Sequence, residues 1–165
     1  MNPYYIKTVL MEYYRFIRQC ICVDEIGYSG LWGTKAYSGY IADIIVLTKT
    51  NFIHEIEVKC NKSDLCSLEL KKGKHSDMSN EYYPHYFSFA VPTELIEEAK
   101  MVINKLNSKY GLIEITSNIY SPVTIRKKAQ RLHNNIIHIE EWKHKIIYRL
   151  NSALIGYMKK IHKNE

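Results

Sequence analysis

The stretch YIADIIVLTKTNFIHEIEVK, from Tyr40 to Lys59, decides the fold. In its first part, Tyr40 to Leu47, the odd-numbered and the even-numbered positions are both apolar apart from Asp43, which predicts a strand covered on both faces. Residues 48–51 are of types that are common in turns. As a four-residue loop they would fold the next strand, Phe52 to Cys60, back antiparallel beside the first. The stretch therefore predicts a buried β-hairpin.

Charged residues on the two strands of this hairpin are expected to converge. A carboxylate in a buried strand is costly unless it is paired or binds a metal, so Asp43 needs a partner. Side chains alternate between the faces of a strand, which places Glu55, Glu57 and Lys59 on one face and brings Asp43 near Glu57 and Lys59. Two acids and one amine suit a hard divalent cation, with the lysine orienting or deprotonating a metal-bound water.

An acid on one strand followed by Glu-x-Lys on the next resembles the signature of the PD-(D/E)xK nuclease superfamily. Asp43 matches the first acid and Glu57-Val58-Lys59 matches the second element, while Ala42 stands where the motif's name has proline. Residues 41–64 and 86–92 look most like small bacterial and phage proteins grouped with the DNA-repair protein MmcB. The resemblance covers roughly residues 4 to 115.

The resemblance implies a phosphodiester hydrolase that uses Mg²⁺ or Mn²⁺ and acts on nucleic acid, with DNA favoured over RNA. Asp43, Glu57 and Lys59 are the implied catalytic residues. Asp43 and Glu57 are implied metal ligands, and Glu12 in the first helix is a further candidate ligand. The implied settings are DNA repair, recombination and phage DNA processing.

Three other interpretations compete with this one. Glu55, Glu57 and Lys59 could be the solvated face of an amphipathic strand, with Asp43 at a strand end. The chain could be a nucleic-acid-binding module that kept the fold and lost turnover. It could also be a structural or interaction protein, such as a phage-encoded inhibitor, with the basic C-terminal helix as its contact surface.

We predict a single α/β domain with a mixed central sheet and the α-β-β-β-α-β order of a restriction-endonuclease-like core. The hydrophobic spacing predicts a first helix over 3–19, and Ser63 is the predicted N-cap of the helix that follows the hairpin. Residues 1–117 form the predicted core. Residues 118–165 form a basic extension whose amphipathic helix, 139–161, is expected to pack on the core, with a homodimer seam as the alternative.

Positive charge is concentrated near the C-terminus. Residues 118–165 hold ten Lys and Arg against three acids, whereas residues 1–117 hold thirteen against fourteen. A basic flank beside an acidic site suits a polyanionic partner, although a solubilising surface explains the charge as well. The predicted phosphate contacts are Lys71, Lys72, Lys74, Arg126, Lys127, Lys128 and Arg131.

Composition narrows the class of protein further. The 165 residues are 46% hydrophobic and 24% charged, which is typical of a folded globular domain. No apolar run has the length of a membrane span and no signal sequence is evident, so we expect a cytoplasmic protein without membrane partners. The four cysteines lack zinc-ligand spacing, which favours reduced thiols in the core.

Overall fold

A six-stranded mixed sheet forms the centre of the protein. The computed structural model describes residues 1–28, 40–69, 73–76, 83–134 and 139–162. The strands are β1 (Ile21–Gly27), β2 (Ile41–Leu47), β3 (Ile53–Val58), β4 (Tyr86–Pro92), β5 (Gly111–Ile115) and β6 (Val123–Lys127). The helices are α1 (Pro3–Glu12), α2 (Ile96–Leu106) and α3 (Ile139–His162). Strand order in the sheet follows chain order.

The pairing of neighbouring strands changes twice across the sheet, from antiparallel to parallel and back to antiparallel. Strands β1, β2 and β3 form an antiparallel meander, β3, β4 and β5 run parallel, and β6 returns antiparallel to β5. Parallel neighbours need crossover connections, which α2 supplies between β4 and β5. The prediction of one α/β domain with a mixed sheet is therefore confirmed.

The β2–β3 hairpin forms as the sequence predicts. The backbone N–H of Thr48 donates to the Phe52 carbonyl at 2.9 Å, and the Phe52 N–H donates to Thr48 Oγ1 at the same distance. Asn51 adopts a left-handed φ of 59°, a conformation that asparagine tolerates better than most residues. Ile44 is paired with Ile56, so one step further Asp43 stands opposite Glu57.

Each face of the sheet buries its own core. One face packs Ile53, Phe87 and Phe89 beneath α2 and the start of α3, while the other packs Ile56 and Val58 beneath α1. Because β3 alternates between these faces, Glu55 and Glu57 lie on the α2 side. The hairpin thus delivers Glu55 and Glu57 to a covered face and not to solvent.

The ends of two predicted helices differ from expectation. The first helix is α-helical only to Glu12 and continues as a π-helical segment, Tyr13–Ile17. Ser63 is already helical and makes no capping hydrogen bond; Asn61 Oδ1 instead accepts from the backbone N–H of Asp64 at 2.8 Å. The predicted Ser63 cap is therefore wrong, because asparagine two residues earlier takes that role.

The residues after 117 contribute to the same sheet and then leave it. β6 is a strand that the sequence analysis did not predict, and it pairs with β5 along one edge. In α3, Trp142 and Ile146 are buried in the core, and Arg149 pairs with Asp24 at 3.0 Å. Beyond Arg149 nearly every described side chain of the helix is exposed, so only its first half packs on the domain. Within the described residues, no helix is both long and apolar enough to cross a membrane.

Candidate metal site and its ion-pair network

Asp43, near the start of β2, is held by two partners. Its Oδ2 accepts a hydrogen bond from the backbone N–H of Val58 at 2.9 Å, and its Oδ1 lies 3.1 Å from Lys7 Nζ in α1. Its side chain is 27% exposed, so the carboxylate remains open to solvent on one side. The expected partner of Asp43 therefore exists, and it comes from the first helix.

Glu57 and Lys59 are buried together at the end of β3. Lys59 Nζ donates to Glu57 Oε1 at 2.9 Å and also lies 2.9 Å from Glu69 Oε2 and 3.2 Å from Asp64 Oδ1. The side chains of Glu57 and Lys59 are each 4% exposed. They are thus not the solvated face of an amphipathic strand, which removes that interpretation.

Lys74 lies deeper in the same cluster. Its ammonium group is 2.9 Å from Glu55 Oε1 and 2.8 Å from Glu57 Oε2, and the residue is 1% exposed. The prediction that Lys74 contacts phosphate is wrong, because a buried amine between two carboxylates cannot reach a backbone in solvent. Tyr28 completes this end by donating its hydroxyl to Glu55 Oε2.

Glu69 links the cluster to the core. Its Oε1 is 2.7 Å from His75 Nε2, and His75 Nδ1 is 3.0 Å from the Tyr110 hydroxyl. Burial opposes ionisation of Glu69, but the His75 hydrogen bond and the charges of Lys74 and Lys59 lower its pKa to about 2. Glu69 is therefore a carboxylate throughout the physiological range.

Both buried lysines keep their protons. Burial acts to lower the pKa of Lys59, but Glu57 and Glu69 outweigh it and hold that pKa above its usual value. Burial likewise opposes the charge on Lys74, and Glu55 and Glu57 raise its pKa above the usual value. Lys59 is thus a fixed positive charge and not a base that could deprotonate a water.

A cavity of about 430 Å³ opens where β2 begins and β3 ends. Its charged lining consists of the acids Glu25, Asp43, Glu57 and Asp64 and the amines Lys7 and Lys59. Among the described residues, the lining therefore carries two more negative than positive charges. That excess equals the charge of one divalent cation.

Oxygen donors for a hard cation are present in this cavity. Asp43 and Asp64 keep 27% and 34% of their side-chain surface exposed, and carboxylates are the ligands that Mg²⁺ and Mn²⁺ prefer. The donor chemistry fits, although lysine ammonium groups contact the Asp43 and Glu57 carboxylates. Across the part of the chain that is described, no three His, Cys, Asp or Glu side chains form a ready-made metal cluster.

Glu12 does not belong to this site. The α1 residues that line the cavity are Pro3, Tyr4 and Lys7, at the start of the helix, whereas Glu12 is exposed at its other end. The prediction of Glu12 as a ligand is wrong, because the helix directs an amine and not an acid at Asp43.

The remaining predicted phosphate contacts that the structure describes are separated from the acidic cavity. Arg126 pairs with Glu114 at 2.6 Å, whereas Lys127, Lys128 and Arg131 line a second cavity on the α1 side of the sheet. Lys71 and Lys72 lie outside the described residues. The basic flank and the acidic site therefore do not form one continuous surface among these side chains.

Several members of the network could not be predicted from the sequence. Lys7 and Glu69 carry no local signal, since each is an ordinary charged residue in a helical pattern. Glu55 was placed on the correct face by alternation alone, but its role as partner of Lys74 depends on the segment that follows β3. The burial of Lys74 cannot be predicted from the sequence, because it depends on how that segment folds against the sheet.

Comparison with known proteins bears on the fold. Neither a protein-family model nor a curated protein matches the sequence significantly. Among solved structures, the chain is similar to the SPO1766 protein of unknown function from Silicibacter pomeroyi. The TM-score is 0.63 at 14% identity, and the match covers 98% of this chain and 92% of that one. The likeness shows a shared α/β fold along nearly the whole chain.

Proposed function

We propose that the protein is a metal-dependent nuclease that hydrolyses phosphodiester bonds in nucleic acid, with DNA as the favoured substrate. The acidic cavity carries this proposal. Four carboxylates and two amines meet there, and three of these groups, Asp43, Glu57 and Lys59, are the residues of the Asp…Glu-x-Lys pattern. An excess of two negative charges at the ends of two adjacent strands attracts a divalent cation from solution.

Asp43 and Glu57 would hold Mg²⁺ or Mn²⁺, with the Val58 carbonyl as a further oxygen donor. When bound, the cation would supply Lewis acidity and would activate a water. Binding at Asp43 competes with Lys7, which neutralises that carboxylate at 3.1 Å. Lys59, which stays protonated, stabilises the negative charge that develops on the scissile phosphate and keeps Glu57 in place.

A second candidate function follows from the contacts that both carboxylate oxygens of Glu57 already make. Both of its carboxylate oxygens already contact buried ammonium groups, at 2.9 Å from Lys59 and 2.8 Å from Lys74. A closed ion-pair network of this kind is also what a non-catalytic nucleic-acid-binding or interaction protein on this fold would use as a structural core. The two functions differ in whether the cavity binds a divalent cation.

The deciding experiment pairs Mn²⁺ titration calorimetry with a plasmid-nicking assay and an RNA-cleavage assay. Asp43→Asn keeps an oxygen acceptor for the Val58 N–H but removes the charge, and Asp24→Asn is the matched control on a surface acid outside the cavity. We expect the wild type and Asp24→Asn to bind Mn²⁺ and nick DNA, and Asp43→Asn to do neither. A wild type that binds no Mn²⁺ and cleaves neither DNA nor RNA would reject the proposal in favour of the non-catalytic function.

A further inference from the structure

A second cavity lies on the opposite face of the sheet from Glu57. It has a volume of about 890 Å³, within the range of sites that bind small molecules. Its walls come from the π-helical segment Tyr13–Ile17, the β2–β3 turn and β6, and its floor includes His54 and Ser88. Of the described elements that contribute side chains to the ion-pair network around Glu57, β3 alone also lines this cavity.

The charged residues described as lining this cavity all carry positive charge. Of the described residues that line it, none is Asp or Glu, whereas Arg18, Lys49, Lys127, Lys128 and Arg131 are cationic. None of the five forms an ion pair with a described acid. The hydrogen-bond acceptors that three of them use are neutral. Lys49 donates to Gln19 Oε1 at 2.7 Å, and Lys127 donates to the Ser108 carbonyl at 2.6 Å. Arg131 donates to the Tyr86 hydroxyl at 3.5 Å and to Asn134 Oδ1 at 3.4 Å. Five uncompensated positive charges around one concave surface attract an anion.

Aromatic rings supply the rest of the lining. Tyr13, Tyr14, Phe52 and Tyr86 all face the cavity, and the Arg131 guanidinium lies 4.1 Å from the centre of the Phe52 ring. On the floor, His54 Nε2 is 2.9 Å from Ser88 Oγ. Burial lowers the pKa of His54 to about 4, so this ring is neutral at physiological pH and can exchange hydrogen bonds without adding charge.

We propose that this cavity binds a nucleoside phosphate, either as a free nucleotide or as the terminal nucleotide of a single strand. Cations and aromatic rings that line one concave surface match a phosphate joined to a planar base, because the rings stack on the base while the cations bind the phosphate. The polar floor offers hydrogen bonds to a base edge or sugar. This inference is independent of catalysis at Asp43.

The test is calorimetric titration of the full chain in EDTA, which excludes cation-bridged binding at the acidic cavity. The probes are AMP, adenosine, inorganic phosphate and a short 5′-phosphorylated oligothymidylate. We expect AMP to bind with a dissociation constant below about 1 mM and more tightly than adenosine or phosphate, since both halves of the ligand contribute. Binding of phosphate as tightly as AMP would overturn the nucleoside part of the proposal.

Two double variants locate the site. Lys49→Ala/Lys128→Ala removes two cations of the cavity, and Lys62→Ala/Lys100→Ala removes two surface lysines elsewhere as the matched control. We expect at least about a tenfold loss of AMP affinity in the first variant and none in the second. Equal affinity in the first variant and the wild type, or no binding by any probe, would refute the site. Tighter binding of the oligonucleotide than of AMP identifies a strand end as the ligand, and the reverse identifies a free nucleotide.

Discussion

Replacing Lys74 by methionine tests the buried network directly. The substitution keeps most of the length of the side chain and removes its charge, so Glu55 and Glu57 lose the ammonium group that contacts them at 2.9 and 2.8 Å. Breaking a buried ion pair by removing one partner costs about 3–5 kcal/mol, because the remaining charge is left uncompensated. In a protein of this size about 1 kcal/mol corresponds to ~2–4 °C, so we expect the melting temperature to fall by about 6 to 20 °C.

Urea unfolding at neutral pH measures this loss, and two variants control it. Lys62→Met removes a lysine that is 67% exposed, and we expect its free energy of unfolding to stay within about 0.5 kcal/mol of the wild type. Glu55→Gln/Lys74→Met removes opposite charges together and should be less destabilised than Lys74→Met alone. If the free energy of unfolding of Lys74→Met is within about 1 kcal/mol of the wild-type value, Lys74 is not a buried ion-pair partner of Glu55 and Glu57.

Two further predictions concern pH and catalysis. Burial holds the pKa of His54 near 4 in the folded protein, whereas the unfolded chain has the ordinary value of 6.5. Between pH 6.5 and pH 4 the unfolded state therefore binds more protons, and the free energy of unfolding falls by up to about 3 kcal/mol as the pH drops through this range. His54→Gln should lack this component, and urea unfolding of both proteins at several pH values checks it; parallel pH profiles would contradict it. Lys59→Ala should lower both stability and nicking, since Lys59 is buried and adjacent to the proposed reaction centre. Nicking within about tenfold of the wild type, ~1.4 kcal/mol, measured below the variant's melting temperature, would remove Lys59 from that centre.

The hairpin and its division into faces were predictable because both depend on local rules. Alternation along β3 places Glu55 and Glu57 on one face whatever the rest of the chain does, and the turn after Leu47 sets the register that stands Asp43 opposite Glu57. The same holds for α3, whose hydrophobic spacing predicted a helix over 139–161. Each of these features depends on residues a few positions apart.

Only the tertiary structure decided what surrounds those carboxylates. Lys74 reaches Glu55 from 19 positions along the chain, and Lys7 approaches Asp43 from a helix 36 positions earlier, so no periodicity within either segment specifies the contact. The second cavity depends in the same way on β6, whose pairing with β5 was not predicted. The sequence by itself determined which side chains share a face of β3. The crossover after β3, which carries Glu69 and Lys74, determined whether that face met solvent or a set of buried charges, because burial depends on contacts between distant segments.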